Sequence, residues 1–246
     1  MRITDWLYIV GSGQVGFRLT DDFDCHVYLL DGGHEYALID AGGGRATAEI
    51  AANIEREGLD PQRSAALFVT HAHVDHSGGA AGLREQLRLR VAASSEVAQY
   101  LRIADERASS LDVAREGGVY PRDFGLSPCP VDQELADGDT VQVGDLTIEV
   151  LATPGHSSGH LAYIVRRDNM ISAFTGDALF AGGTILLQNI WDCSLHESIR
   201  SVERLAALSL DGLYPGHAAF AVRDGRREVD KAIAAIGQRL PPRQLH

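Results

Sequence analysis

Four potential metal ligands fall within six consecutive residues, His71-Ala72-His73-Val74-Asp75-His76, directly after the apolar run Ala65 to Val69 and ahead of the Gly78-Gly79 turn. On an α-helix, side chains two residues apart point about 200° away from each other, whereas in extended chain they share a side. His71, His73 and Asp75 therefore converge only where the motif leaves a strand as a loop, with His76 directed elsewhere. This geometry suits two neighbouring cations, His71 and His73 facing one, Asp75 and His76 facing the other. Burying adjacent imidazoles and a carboxylate without a cation would be costly. The fold must therefore deliver strand ends to a common rim.

Three further candidates have the same grammar of apolar run, glycine and ligand: His156 in Thr153-Pro154-Gly155-His156, Asp177 in Thr175-Gly176-Asp177, and His217 in Tyr214-Pro215-Gly216-His217. A glycine before the ligand lets the backbone turn sharply at a strand end. Neutral imidazoles suit zinc, iron or manganese, and a carboxylate can bridge two cations.

The surrounding pattern predicts the architecture. Short β-type runs at Trp6–Val10, His26–Leu30 and Tyr36–Ile39 are separated by Gly and Asp turns, and Ala65–Val69 reads as a short buried strand. Between 45 and 57, Ala46, Ile50 and Ile54 recur every four residues, which predicts an amphipathic helix stopped by Gly58 and Pro61. A helix at Ala80–Leu87 and a strand at Leu89–Ala93 follow. Residues 94 to 115 are helical in composition, and Pro121, Pro128 and Pro130 make the next stretch irregular, so 94–132 reads as an insertion. Strands are expected at Thr140–Val143, Leu146–Leu151, Leu161–Val165 and Met170–Phe174. Ser194 with Glu197 forms a capping box for a helix, and a last helix lies near 224–239. Two successive sets of strands and helices, with no long linker, predict an α/β chain of one domain over residues 1–246.

Composition narrows the partners. The 246 residues carry 34 acidic and 22 basic side chains, a formal charge of −12, which repels phosphate backbones and excludes broad nucleic-acid binding. No apolar run approaches the ~20 residues of a membrane span, and no basic-then-apolar leader opens the chain, so a cytoplasmic protein acting on a small molecule is expected. Cys25, Cys129 and Cys193 have no metal-type spacing and read as reduced thiols.

The motifs Thr70-His71-Ala72-His73-Val74-Asp75-His76-Ser77-Gly78-Gly79, Thr153-Pro154-Gly155-His156-Ser157-Ser158-Gly159-His160, Gly176-Asp177 and Gly216-His217, in this order, resemble the metallo-β-lactamase superfamily, nearest its glyoxalase II and lactonase branches. The resemblance implies a four-layer αβ/βα sandwich with the 94–132 insertion as a lid. It also implies two divalent metal ions, zinc first, with His71, His73 and His156 on one, Asp75, His76 and His217 on the other, and Asp177 bridging. His160 reads as a residue that orients these ligands, while His26, His34, His196 and His246 have no motif and no expected role.

Two dications offset by Asp75, Asp177 and a hydroxide leave a net positive core, suited to a developing oxyanion. A metal-held hydroxide is the expected nucleophile, with no covalent enzyme intermediate, and Asp75 is the catalytic residue expected to orient it and pass a proton to the leaving group. The expected substrates are esters of the lactone or thioester type. Other readings are a mononuclear iron persulfide dioxygenase, a β-lactamase-like amide hydrolase and a non-catalytic metal-binding relative. The glyoxalase II stretch after the bridging aspartate is replaced by Ala181-Gly182-Gly183-Thr184, and too little chain follows His217 for the glutathione-binding extension. The lactonases' tyrosine three residues after that aspartate is Phe180 here, a candidate substrate-pocket residue. The insertion fits a lid or a homodimer contact equally.

Overall fold

The structure, a computed structural model, describes residues 1–63 and 65–245. Two compact units divide the chain: Met1–Leu135 with Val143–Asp145, and Ala136–Gln142 with the chain from Leu146 onward.

The first unit is built on a six-stranded sheet whose spatial order follows the sequence: β1 (Leu7–Gly11), β2 (Val27–Asp31), β3 (Tyr36–Ile39), β4 (Ala65–Phe68), β5 (Arg90–Ser94) and β6 (Gln133–Leu135). The first three strands pair antiparallel, and from β3 onward the pairing is parallel. Parallel neighbours need crossovers. These are supplied by α1 (Thr47–Arg56), then α2 (Val74–Ser77) and α3 (Ala80–Leu87), then α4 (Ser95–Ile103) and α5 (Leu111–Glu116). β3 and β4 are buried at every position, as strands covered on both faces must be, and so read as apolar runs without alternation. Ile50 and Ile54 of α1 are buried against this sheet, each stabilising by about 1.5–3 kcal/mol.

The segment 94–132 is more deeply integrated than an insertion suggests. Ser94 caps α4 by accepting from the Val97 amide at 3.2 Å, and Val97, Leu101, Cys129 and Val131 belong to the main core of this unit. The helix expected to run on to 115 breaks because Ala104 and Ser110 adopt left-handed backbone, at φ 51° and 57°. The middle stretch has a separate apolar cluster, in which Leu111 and Phe124 pack with Phe23, Tyr120, Leu126 and Val74. Val74 lies between His73 and Asp75, so this stretch is anchored on the ligand motif itself.

The second unit holds a five-stranded sheet formed by β7 (Thr140–Val143), β8 (Leu146–Ala152), β9 (Leu161–Arg167), β10 (Met170–Gly176) and β12 (Gly212–Pro215), in the order β12-β10-β9-β8-β7. β8, β9 and β10 are antiparallel, and β12 joins β10 in parallel. A short parallel pair is made by β11 (Thr184–Ile185) and β13 (Arg243–Gln244). The helices are α6 (Leu195–Ala206) and α7 (Gly225–Gly237). Val202 and Leu205 of α6 and Val229 and Ala232 of α7 share one core with Ile164, Ala173 and Leu213 of the sheet. The capping box at Ser194 is half realised. Its hydroxyl accepts from the Glu197 amide at 3.4 Å, but its own amide donates to the Gly155 carbonyl at 2.7 Å. The start of α6 is thereby tied to the turn that presents His156.

Candidate metal centre

In the first unit the ligand motif leaves β4 as a loop only as far as His73. The His73 carbonyl then accepts from the amides of His76 and Ser77, both at 3.0 Å, and α2 begins. Asp75 and His76 therefore lie on a helical turn, not on extended chain. His76 does not point away, as the extended geometry predicts; its ring lies 4.2 Å from that of His71.

Asp40 organises this set. Its carboxylate accepts from the Thr70 amide (2.7 Å), the Thr70 hydroxyl (2.9 Å) and Nδ1 of His76 (2.8 Å). Because an ionised carboxylate only accepts, His76 is protonated at Nδ1 and its lone pair sits on Nε2. The Thr70 hydroxyl spends its proton on Asp40, so it accepts from Nδ1 of His71 at 3.0 Å, and the His71 lone pair also sits on Nε2. That atom lies 3.1 Å from Nδ1 of His73, and Nε2 of His76 lies 3.6 Å from the Asp75 carboxylate.

Cys25 is close enough to Asp40 and His76 for the three to form a further potential ligand group. Burial pushes its thiol up to about 12, which keeps it protonated, and Asp40 is already committed to Thr70 and His76. This group is a hydrogen-bonding network around His76.

In the second unit His156, Asp177 and His217 come together. Nδ1 of His156 donates to the Leu186 carbonyl at 3.0 Å, which places its lone pair on Nε2. Nε2 of His156 and Nε2 of His217 each lie 3.7 Å from the same Asp177 oxygen, Oδ2. His160 sits behind Asp177. Its Nε2 accepts from the Asp177 amide at 3.2 Å, so its proton is on Nδ1 and is given to the Thr153 hydroxyl at 2.9 Å. His160 thus holds the Asp177 backbone from behind. Gly155 adopts φ 137°, and a Cβ there would lie 2.3 Å from the Ser198 amide nitrogen, so the turn needs glycine. Ala218, after His217, is held at φ 62°, a strained conformation of the kind that clusters at functional sites.

The separations fit a shared cation. Two donors bound at ~2.0–2.2 Å to one tetrahedral ion stand about 3.3–3.6 Å apart. The pairs His71–His73, His76–Asp75, His156–Asp177 and His217–Asp177 span 3.1–3.7 Å, within about 0.2 Å of that range, three of them too long for a direct hydrogen bond.

Asp40 and Leu186 were not singled out from the sequence. Asp40 follows an apolar strand and precedes Gly42-Gly43-Gly44, a related strand-end setting but without the glycine that precedes His156, Asp177 and His217. The Leu186 carbonyl carries no side-chain signal. Phe180 is fully buried. His26 is buried against Ser12, His196 is exposed, and His246 lies outside the described residues.

The profile of the metallo-β-lactamase superfamily matches residues 20–217. The chain belongs to this superfamily. Among curated proteins it is similar to an atrochrysone carboxyl ACP thioesterase of Aspergillus fumigatus, 28% identical over 85% of this chain and 55% of that one. It is also similar to a hydroxyacylglutathione hydrolase of Rhodopseudomonas palustris, 32% identical over 81% of this chain and 63% of that one. The chain thus spans between half and two thirds of the length of these relatives. Among solved structures, a metallo-β-lactamase of Cronobacter sakazakii with a HARLDQ motif matches at TM-score 0.73 and 23% identity, covering 96% of both chains. A subclass B3 metallo-β-lactamase of Bradyrhizobium japonicum matches at 0.74 and 19%, covering 97% of this chain and 90% of that one. These likenesses show the α/β metallo-β-lactamase fold that the motifs implied.

Proposed function

We propose that the two ligand sets together hold a pair of divalent cations, zinc first among them, and that the protein hydrolyses thioesters of small carboxylic acids. In this reading His71, His73 and His156 serve one cation, Asp75, His76 and His217 the other, and Asp177 both. The observation that carries it is the orientation of the imidazoles. His71, His76 and His156 each give Nδ1–H to a protein oxygen and so turn an Nε2 lone pair outward, the state a metal requires. The thioester preference rests on the names of the two curated relatives.

Bound there, the cations supply polarisation of the substrate carbonyl and a water that ionises near neutral pH. The chain's own residues do the rest. The Asp75 carboxylate orients the attacking water and carries a proton to the leaving group. Asp40 and the Leu186 carbonyl hold His76 and His156 in the donor tautomer. His160 fixes Asp177 from behind through the backbone amide. Ser157 is buried and donates its hydroxyl to the Ser158 carbonyl, which leaves it unsuited to act as a nucleophile and supports hydrolysis without a covalent intermediate. A cytoplasmic location belongs to the same proposal and is supported by three free cysteines. The Phe124 cluster supports a lid role for the insertion, while exposed Ile103, Val113 and Val119 give a second copy an apolar area to contact.

The test is a panel of acyl-glutathione and acyl-pantetheine thioesters, lactones, a β-lactam and a persulfide, assayed with and without chelator. Thioester hydrolysis is expected to lead, to be lost on chelation and to return with zinc. Turnover that survives full metal removal, or an unchanged rate in Asp177→Ala, overturns the mechanism. A single iron per chain with oxygen consumption overturns the hydrolase reading.

A further inference from the structure

The peptide linking Leu186 to Leu187 is held from both sides. On its carbonyl side, the Leu186 oxygen accepts from Nδ1 of His156 at 3.0 Å. On its amide side, the Leu187 N–H donates to Oε1 of Gln244 at 2.9 Å. A trans peptide is planar, with N–H and C=O pointing in opposite directions, so fixing one end aims the other. Gln244 lies on β13, which pairs in parallel with β11 in the register Thr184–Arg243 and Ile185–Gln244. The Leu245 amide adds a 2.9 Å bond to the Ile185 carbonyl, so the peptide before Leu186 is anchored by the same strand.

The rest of this segment is equally constrained. Gly183 lies against α7, where a Cβ would stand 2.6 Å from the Ala232 amide nitrogen, and the Glu228 carboxylate accepts from the Gly182 amide at 2.5 Å. This is the stretch, Ala181-Gly182-Gly183-Thr184, in which the chain departs from the glyoxalase II pattern. A donor on the amide also polarises the carbonyl of the same peptide, strengthening it as an acceptor. A stronger acceptor makes the His156 ring a better electron-pair donor at Nε2.

We infer that Gln244 is a positioning residue for the metal centre, setting the orientation and donor strength of His156 through the Leu186–Leu187 peptide. The inference rests on the reading of His156 as a metal ligand. The two-residue strand β13 is then a brace for a ligand some ninety positions earlier, by the roughly extended reach of a short strand rather than by sequence proximity.

The experiment compares Gln244→Leu, which removes the acceptor, with Gln244→Glu, which keeps an acceptor oxygen for the Leu187 amide. Zinc affinity is read by competition with a chromophoric chelator, and the melting temperature of metal-free protein is read alongside. Gln244→Leu is expected to weaken at least one zinc equivalent about tenfold, the lower end of what outer-shell changes cost. Gln244→Glu should remain within about twofold of the parent, and the two metal-free variants should melt together. Equal zinc affinity in all three proteins overturns the inference, as does an equal loss in both variants, which would mark Gln244 as merely structural. A parent protein that takes up no zinc overturns the ligand reading of His156 and the inference with it.

Discussion

The carboxylate of Asp40 accepts Nδ1–H of His76 at 2.8 Å while also accepting the amide and hydroxyl of Thr70, so one buried side chain sets the tautomer of two histidines of the ligand motif. Asp40 itself sits at φ 63°, a conformation that aspartate and asparagine tolerate better than most residues. Asp40→Asn keeps that backbone and one acceptor oxygen but replaces the other oxygen with a donor. Zinc affinity is expected to fall about 10–100-fold, with the fold retained. Chelator competition and circular dichroism check the two halves of this expectation. Unchanged zinc affinity would refute the role given to Asp40.

Gly155→Ala should destabilise the second unit by roughly 3 kcal/mol or more, since φ 137° is closed to alanine and the added methyl meets the Ser198 backbone at 2.3–2.5 Å. The Gly155 carbonyl also accepts the Ser194 amide, so the shift reaches the start of α6. A melting temperature lower by about 6–12 °C is expected. Loss of bound zinc should accompany it, because His156 follows directly.

The parts of this molecule legible in the sequence are those whose physics is local. The ligand motif declared itself because four donors fell within six residues, and Ile50 and Ile54 announced α1 by their spacing. The one-turn helix α2 was hidden because a single turn has no periodicity to read and its residues were already explained as ligands. β11 and β13 have two residues each, too few for alternation, and exist only because they pair with one another. Asp40 finds its partners 30 and 36 residues away, so only the folded chain reveals the bonds that give it a task. At Ser194 the local pattern was right and the outcome still differed, because the Gly155 carbonyl took the amide that a capping box assigns to Glu197.

Phe180 gives a test of the lactonase likeness. A tyrosine there would restore the hydroxyl that the lactonase branch carries, but the ring is fully buried. Phe180→Tyr is therefore expected to destabilise by about 1–3 kcal/mol, the cost of a hydroxyl without a partner, and to confer no lactone hydrolysis. Thermal melting and a lactone assay read both effects. A gain in lactone turnover without loss of stability would show that the position faces substrate.

Asp24 makes a pH-dependent contribution of unusual sign. Burial raises its carboxyl to about 6, against the hydrogen bonds from Thr20 and the Gly43 amide that act to lower it. In the unfolded chain it titrates near 3.8. Below about pH 3 the group is neutral in both states and costs nothing. As pH rises from about 4 to 6 the unfolded chain loses its proton first, so folding stability falls across this window. Above about 6 the deficit is constant, on the order of 3 kcal/mol from two pKa units. Asp24→Asn removes the charge and keeps an acceptor for the Gly43 amide, which holds the loop beside Gly78. Urea unfolding of parent and variant should therefore coincide near pH 3 and separate by about 1–3 kcal/mol in favour of the variant at pH 8. A difference that does not change between those two pH values would remove Asp24 as its source.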